Sequence, residues 1–353
     1  MKRVVAGVAV VAALASGCSS GGGPVRAAAD LLQVRVDKGV AIGGPEARVP
    51  EEDGAVDSPR LAARVDKVRV ERELTTFNAM AVGLDDSHGY TAADGHEFLL
   101  ASVLRERLPG SASTDEQPGP DGVAVVVGDK RAPVDLDEWE AGPQGFAVVA
   151  SVPVGQPVWL EVSDIGRTIR YDLREHAYAT DADSRRAEFY RGGLRIAPGQ
   201  VLEATGSGSL EGASGGLEGA GVGFTLTVYS ASKDLYAEGR QLGWAPDGSA
   251  WLTVRAGVQY VPAPNTFSLV QPEPGRESFT LGSDRPVSLE VDDASSGTTV
   301  EMVFKVADDL TSAVLRHTPA QSVTVKQAGE ERAYPLRGAR DVDAVLRLTA
   351  GRR

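Results

Sequence analysis

The sequence predicts an all-β protein built as two tandem β-sandwich domains. Runs of β-branched and aromatic residues recur along the chain, separated by Gly, Pro, Asp and Ser. No stretch carries the sustained apolar spacing of a long amphipathic helix. Two pairs of segments also match each other across the chain at nearly the same offset, as two copies of one module would.

The chain opens on Met1-Lys2-Arg3, continues with an uncharged apolar run over 4–15, and reaches Ser16-Gly17-Cys18 followed by Ser19-Ser20-Gly21-Gly22-Gly23-Pro24. A positive start, a short apolar run and small residues before a cut make a secretory signal over 1–17, too short to remain as a bilayer span of roughly 18 apolar residues. These residues resemble a bacterial lipoprotein signal, in which the cysteine after the cut is joined to a diacylglycerol and becomes the mature N-terminus. The resemblance makes Cys18 the lipidation site. It departs from the usual pattern at Ala15, where Leu is customary and Leu14 stands one place back. The alternative is a secretory signal without lipid. Cys18 is the only cysteine, so no disulfide can form within one chain, and a single thiol in an exported protein fits lipid attachment. Two acyl chains hold a protein stably where one gives marginal binding. Residues 18–60 are expected to form a flexible tether, with 31–36 as a possible short strand inside it.

Domain 1 is expected over 61–176. Its strands fall at 63–70, where Val65, Val68 and Val70 recur, and at 98–104, which opens on Phe98. They continue at 123–127, 146–152, 158–162 and 168–173, each bounded by turn residues. A charged connector over 175–191 follows. Domain 2 is expected over 187–350, with strands at 193–196, 201–204, 224–229, 251–254, 267–270, 287–291, 299–306 and 322–326. Turn signals every 8 to 12 residues or so are those of a sandwich or barrel.

Gln156-Pro157-Val158-Trp159-Leu160-Glu161-Val162-Ser163-Asp164 lies without a gap on Arg285-Pro286-Val287-Ser288-Leu289-Glu290-Val291-Asp292-Asp293, and Gly95-His96-Glu97-Phe98-Leu99-Leu100 lies on Gly221-Val222-Gly223-Phe224-Thr225-Leu226. A period this long means tandem domains and not a solenoid. Chance matches between Val-rich strands are the competing explanation. The Gly-x-x-Phe strands at 95–98 and 221–224, each followed by apolar residues, resemble the immunoglobulin-like sandwiches of Gram-positive, in particular actinobacterial, surface lipoproteins. That resemblance covers 61–340 and implies structural units with no catalytic residues to carry over. Arg105-Glu106-Arg107 stands where those units usually place an Asn after the first strand pair.

The formal net charge is -13, and removing 1–17 takes away Lys2 and Arg3 to leave -15. Phosphate backbones and anionic lipid headgroups are bound by basic patches, so nucleic acid is not expected as a partner. Gly212-Ala213-Ser214-Gly215-Gly216 fits the Gly-x-Ser-x-Gly pattern, but that nucleophile needs a strand before it and a helix after it. The surrounding stretch 206–223 reads instead as a flexible Gly-Ser loop. Ser230-Ala231-Ser232-Lys233 fits Ser-x-x-Lys without the partner motifs of a penicillin-recognising site. His88 and His96, near Asp85, Asp86, Asp94 and Glu97, lack a known zinc spacing and are expected to be solvated. The pairs Asp292-Asp293 and Asp308-Asp309 lack a calcium-loop pattern and are expected in turns. No metal or cofactor is expected.

In Trp244-Ala245-Pro246-Asp247-Gly248-Ser249-Ala250-Trp251 the Asp-Gly step predicts a tight hairpin that sets Trp244 opposite Trp251. Exposed, the pair would offer a platform for sugar rings or a partner protein; buried, it is core packing, the favoured reading in a β-sandwich. The function expected is a membrane-anchored, extracytoplasmic lipoprotein with a non-catalytic binding or structural role, its partner an envelope protein or wall polymer. A cell-envelope hydrolase with its site on sandwich loops is the alternative.

Overall fold

The computed structural model describes residues 24–36, 47–85, 87–106, 119–139, 145–192, 194–195, 201–214, 216–237, 241–263, 267–294 and 297–350. The protein is all-β, with sheets stacked as sandwiches and only short helices among the described residues. The chain divides into two compact units, 1–191 and 192–353.

In the first unit two five-stranded sheets face each other. One runs in the order Leu32–Val36, Phe146–Pro153, His96–Glu106, Leu61–Glu71, Ala55–Ser58; the other runs Ala177–Tyr178, Arg167–Asp172, Trp159–Asp164, Gly122–Val127, Lys130–Pro133. Val65, Val103, Phe146 and Val148 from the first sheet meet Val125, Leu160 and Tyr171 from the second in one core. Trp139 packs edge-on against Phe146 at 4.9 Å.

The first sheet is buried on its other face too. Phe98, Leu100, Ala147 and Val149 point away from the sandwich core into a second cluster with Leu74, Ala79, Val82 and Tyr90. That cap consists of the short helix Thr76–Ala81 and a small sheet of Val25–Arg26, Tyr90–Thr91 and Glu73–Leu74. Burial on both faces explains why 98–103 and 146–152 read as unbroken apolar or small-residue runs, while a half-solvated strand alternates.

In the second unit a long antiparallel sheet follows the order Ser268–Val270, Ser322–Gln327, Glu330–Arg337, Leu202–Leu210, Gly221–Asp234, Ser249–Ala263, Gly297–Ala307, Ser288–Ala294. A three-stranded sheet of Phe279–Leu281, Ser312–His317 and Val342–Arg347 packs on one of its faces. Burial alternates strictly from 221 to 228, as expected of a sheet with one covered face. Tyr260 on the large sheet and His317 on the small one meet across the core, with Phe224 and Phe279 stacked beside them.

Every strand expected from the sequence overlaps a strand of the structure. Four expectations are corrected. Part of the proposed tether is folded: Leu32–Val36 forms a sheet edge, Ala55–Ser58 pairs with Leu61–Glu71, and Val49 and Val56 lie in the core. The connector 175–191 belongs to the first unit, since Tyr178 and Ala187 are core residues and Asp181 caps the helix Ala182–Ala187. The Gly-Ser stretch is a loop only over 211–220, because Leu202–Leu210 is a strand. Its glycines make room: a Cβ on Gly206 would stand 2.5 Å from the Phe224 ring, and one on Gly208 would stand 2.8 Å from Leu336. Finally, Asp292 and Asp293 lie within the strand Ser288–Ala294, whereas Asp308 and Asp309 do form a turn.

The two matched segment pairs occupy only partly equivalent places. Strands His96–Glu106 and Gly221–Asp234 are each interior to a sheet, the first between Leu61–Glu71 and Phe146–Pro153 and the second between Leu202–Leu210 and Ser249–Ala263. Trp159–Asp164, however, is the centre of a second sheet, while Ser288–Ala294 is an edge of the same sheet as Gly221–Asp234. The match of 156–164 with 285–293 therefore reflects two hairpin strands of similar composition and not one position in a repeated topology.

Candidate functional site

The second unit carries a cleft of about 680 Å³ at one end of its sandwich. Four separate segments line it: the turn at Gly248 and Ser249, the connection 281–287 between the two sheets, the end of strand Gly297–Ala307, and the segment 310–314. The connection is tied at its start, where Leu281 and Asp284 exchange backbone hydrogen bonds of 2.8 and 3.0 Å. It then crosses to the large sheet, where the Val287 N–H donates to the carbonyl of Val303 at 2.8 Å. Gly282 takes φ +61°, a conformation in which a side chain would be strained.

Arg285 and Lys305 bring two cations to this cleft, and both are exposed. Neither is engaged in an ion pair or hydrogen bond among the described residues, in a chain whose formal charge is -13. Ser249 and Ser312 add hydroxyls, Asp284 one carboxylate, and Leu281, Val287, Leu310 and Val314 apolar wall. A guanidinium and an ammonium over apolar surface can hold a carboxylate, sulfate or phosphate while the wall takes an apolar body.

Lys233 fixes one side of the cleft from beneath. It is buried, and its Nζ donates to the carbonyl oxygens of Asp308 and of Leu310, the latter at 3.0 Å. Burial pushes its ammonium below the usual lysine range, against the opposing pull of Asp308 and Asp309. The amine therefore pins the segment that leads into the cleft wall at Leu310. Ser230, its partner in the Ser-x-x-Lys pattern, is exposed, because residues three apart on a strand point to opposite faces. The pattern thus brings no hydroxyl to this amine.

Trp251 is the cross-strand neighbour of the cleft residue Lys305, and the two tryptophans stand in a different arrangement from the expected one. The turn is where the Asp-Gly step puts it: Ser249 N–H donates to the carbonyl of Pro246 at 3.0 Å, and Gly248 has φ +69°. The tryptophans are not cross-strand partners. Trp244 pairs with Tyr236, their rings 5.4 Å apart and edge to face, whereas Trp251 stands between Asp234 and Lys305 in the large sheet. Pro246 has no N–H to continue a ladder, and Ala245 donates instead to Leu235. Trp251 is buried at 7% exposure against Ala245 and Val303, with its Nε1 donating to the carbonyl of Gly243 at 2.9 Å. Trp244 is half-buried.

Cys18 lies outside the described residues. His88 is exposed, and the half-buried His96 places Nδ1 3.0 Å from the carbonyl of Asp94. Among the described residues no three His, Cys, Asp or Glu side chains are grouped to hold a metal ion. The exposed Ser214 sits in the loop 211–220 between two strands, without the following helix of a nucleophile turn.

Sequence reading did not find the cleft, because its four segments are distant in the chain and no periodicity links them. Arg285 and Lys233 appeared there only as members of other patterns. No known family matches the chain, and no curated protein matches it.

Proposed function

We propose that the protein is an extracytoplasmic lipoprotein, held to the membrane through Cys18, that binds its ligand without transforming it. The observation that carries the binding role is the cleft in which the side chains of Arg285 and Lys305 stand above apolar walls without an ion-pair or hydrogen-bond partner among the described residues. The ligand it suits is compact and amphipathic, with an anionic group for the two cations and an apolar portion for Leu281, Val287 and Val314. A terminal carboxylate of an envelope protein or an acidic substituent of a wall polymer has this chemistry. The signal-like segment and the single cysteine support the anchor.

Two measurements test the reading. Decanoate, as an amphipathic carboxylate, should raise the melting temperature of the protein, since a ligand that binds only the folded state stabilises it. The Arg285→Ala, Lys305→Ala double variant should lose that shift. An unchanged shift in the double variant, or none in the parent, overturns the assignment of the cleft. For the anchor, Cys18→Ser should release the protein from membranes of a Gram-positive host into the medium; retention would disprove lipid attachment.

A further inference from the structure

The cap of the first unit carries an apolar pair that its own core does not use. Phe77 and Met80 are 54% and 49% exposed, while Asn78 and Ala79 between them are buried. Residues three apart on a helix share a face, so helix Thr76–Ala81 turns one side inward and shows two large apolar side chains outward. Helix entry is set locally: Thr75 caps it by accepting from the Asn78 N–H at 3.3 Å.

The position of this helix is tied to the start of the described chain. The Val25 N–H donates to the carbonyl of Gly89 at 2.8 Å. A Cβ built on Gly89 would lie 3.3 Å from the carbonyl oxygen of Leu74 and 3.9 Å from the Cβ of Pro24. Pro24 and Leu74 thus flank Gly89, at the two strands that border Tyr90–Thr91, and Leu74 leads directly into the Thr75 cap. Only five residues stand between Cys18 and Pro24, so six residue-to-residue steps join them. Six such steps span at most about 20 Å in any conformation. A lipid on Cys18 therefore keeps the base of this helix close to the bilayer surface, whose interfacial zone is itself several ångströms deep.

We propose that helix Thr76–Ala81 rests on the leaflet that holds the lipid of Cys18, with Phe77 and Met80 entering its interfacial region. The inference rests on the lipid anchor proposed above. The charge of the chain selects an apolar contact over an electrostatic one: at -15 once residues 1–17 are removed, the protein offers no basic excess to anionic headgroups, so its affinity for the surface comes from side chains that leave water. On the same cap, Asp94 is paired with Arg26 at 2.5 Å and Asp85 accepts from the Ser87 hydroxyl at 2.7 Å, so these carboxylates already have protein partners. The consequence is orientation: two points of attachment, lipid and helix, give the first unit a fixed face toward the membrane.

The test uses the full-length lipidated chain, purified from membranes and reconstituted into phosphatidylcholine and phosphatidylglycerol vesicles. Lipidation consumes the thiol of Cys18, so Met80→Cys supplies the only free thiol for an environment-sensitive fluorophore. Asp121→Cys serves as reference. Asp121 is exposed and accepts from the Gly166 N–H next to the 58–61 hairpin, at the opposite end of strand Leu61–Glu71, which is roughly 30 Å long. The label at 80 should shift to the blue and lose emission to nitroxide-bearing lipids, and the label at 121 should do neither. Melting curves of both labelled proteins establish that they are folded. If the protein floats with the vesicles and position 80 behaves like position 121, the helix does not rest on the membrane and the anchor stands. Failure to float overturns the anchor and this proposal together. A crosslink from position 80 to another protein, without lipid quenching, assigns the face to that partner and overturns membrane contact.

Discussion

Two buried ionisable residues tie stability to pH in opposite directions. His317 places Nδ1 3.1 Å from the carbonyl of Ser278 and Nε2 3.5 Å from the Tyr260 hydroxyl, which itself accepts from the Ala320 N–H. Burial pushes its imidazolium down from 6.5 to about 4. The unfolded chain takes up this proton first as pH falls, so stability is complete above pH 6.5 and is lost between 6.5 and 4. At 1.36 kcal/mol per unit the loss is about 3 kcal/mol. Urea unfolding at a series of pH values should show that slope, and His317→Gln should flatten it. Asp164 behaves inversely. Burial raises its carboxyl above 3.8, against the opposing pull of the Ser58 hydroxyl and of the Arg60 N–H, which donates to Oδ2 at 2.9 Å. The folded state holds this proton longer, so ionisation costs stability as pH rises from 3.8 through the folded value and the cost persists at neutral pH. Asp164→Asn keeps an acceptor for Arg60 without the charge, and its melting temperature at pH 7 should exceed that of the parent.

Among the elements, strand Leu202–Leu210 shows what composition conceals. Its Gly and Ser content signals a loop, yet the strand pairs with Gly221–Asp234 along eight consecutive residues. Gly206 is required because Phe224 and Val342 occupy the space a side chain would take, at 2.5 and 3.0 Å from a Cβ. Gly206→Val should cost about 1–3 kcal/mol as an overpacked core position, read as a lower urea midpoint with an unchanged slope. Gly223, whose Cβ would meet nothing closer than 3.8 Å, should accept Ala with a much smaller change. The valine-rich strands were legible because β-branched side chains declare themselves in sequence. Glu330–Arg337 was missed because it is exposed along most of its length, and Val342–Arg347 because Asp343 and Arg347 on its solvent face break up the apolar run.

For the whole molecule, the first unit draws its core from residues on both sides of 61. Val49 and Val56 are buried in it, and Leu32–Val36 and Ala55–Ser58 close the two edges of its inner sheet. A fragment of 24–191 should therefore melt cooperatively, whereas 61–191 should lack a cooperative transition in calorimetry. Equal melting of both fragments would show the first sixty residues to be dispensable.

The sequence by itself determined the all-β class, the place of most strands, the Asp247-Gly248 turn and the expectation of export with Cys18 as anchor. Each is a local property, written in side-chain branching, turn residues or a short ordered run of charge, apolarity and small residues. Tertiary structure alone decided which sheet each strand joins, that the first unit reaches back into the supposed tether, and that Trp251 is buried beside Lys305 instead of facing Trp244. It also decided that Arg285 and Lys305 share a cleft, and that Phe77 and Met80 stand exposed on the cap of the first unit. These depend on which distant segments meet, and strand pairing uses backbone groups that every residue type supplies alike.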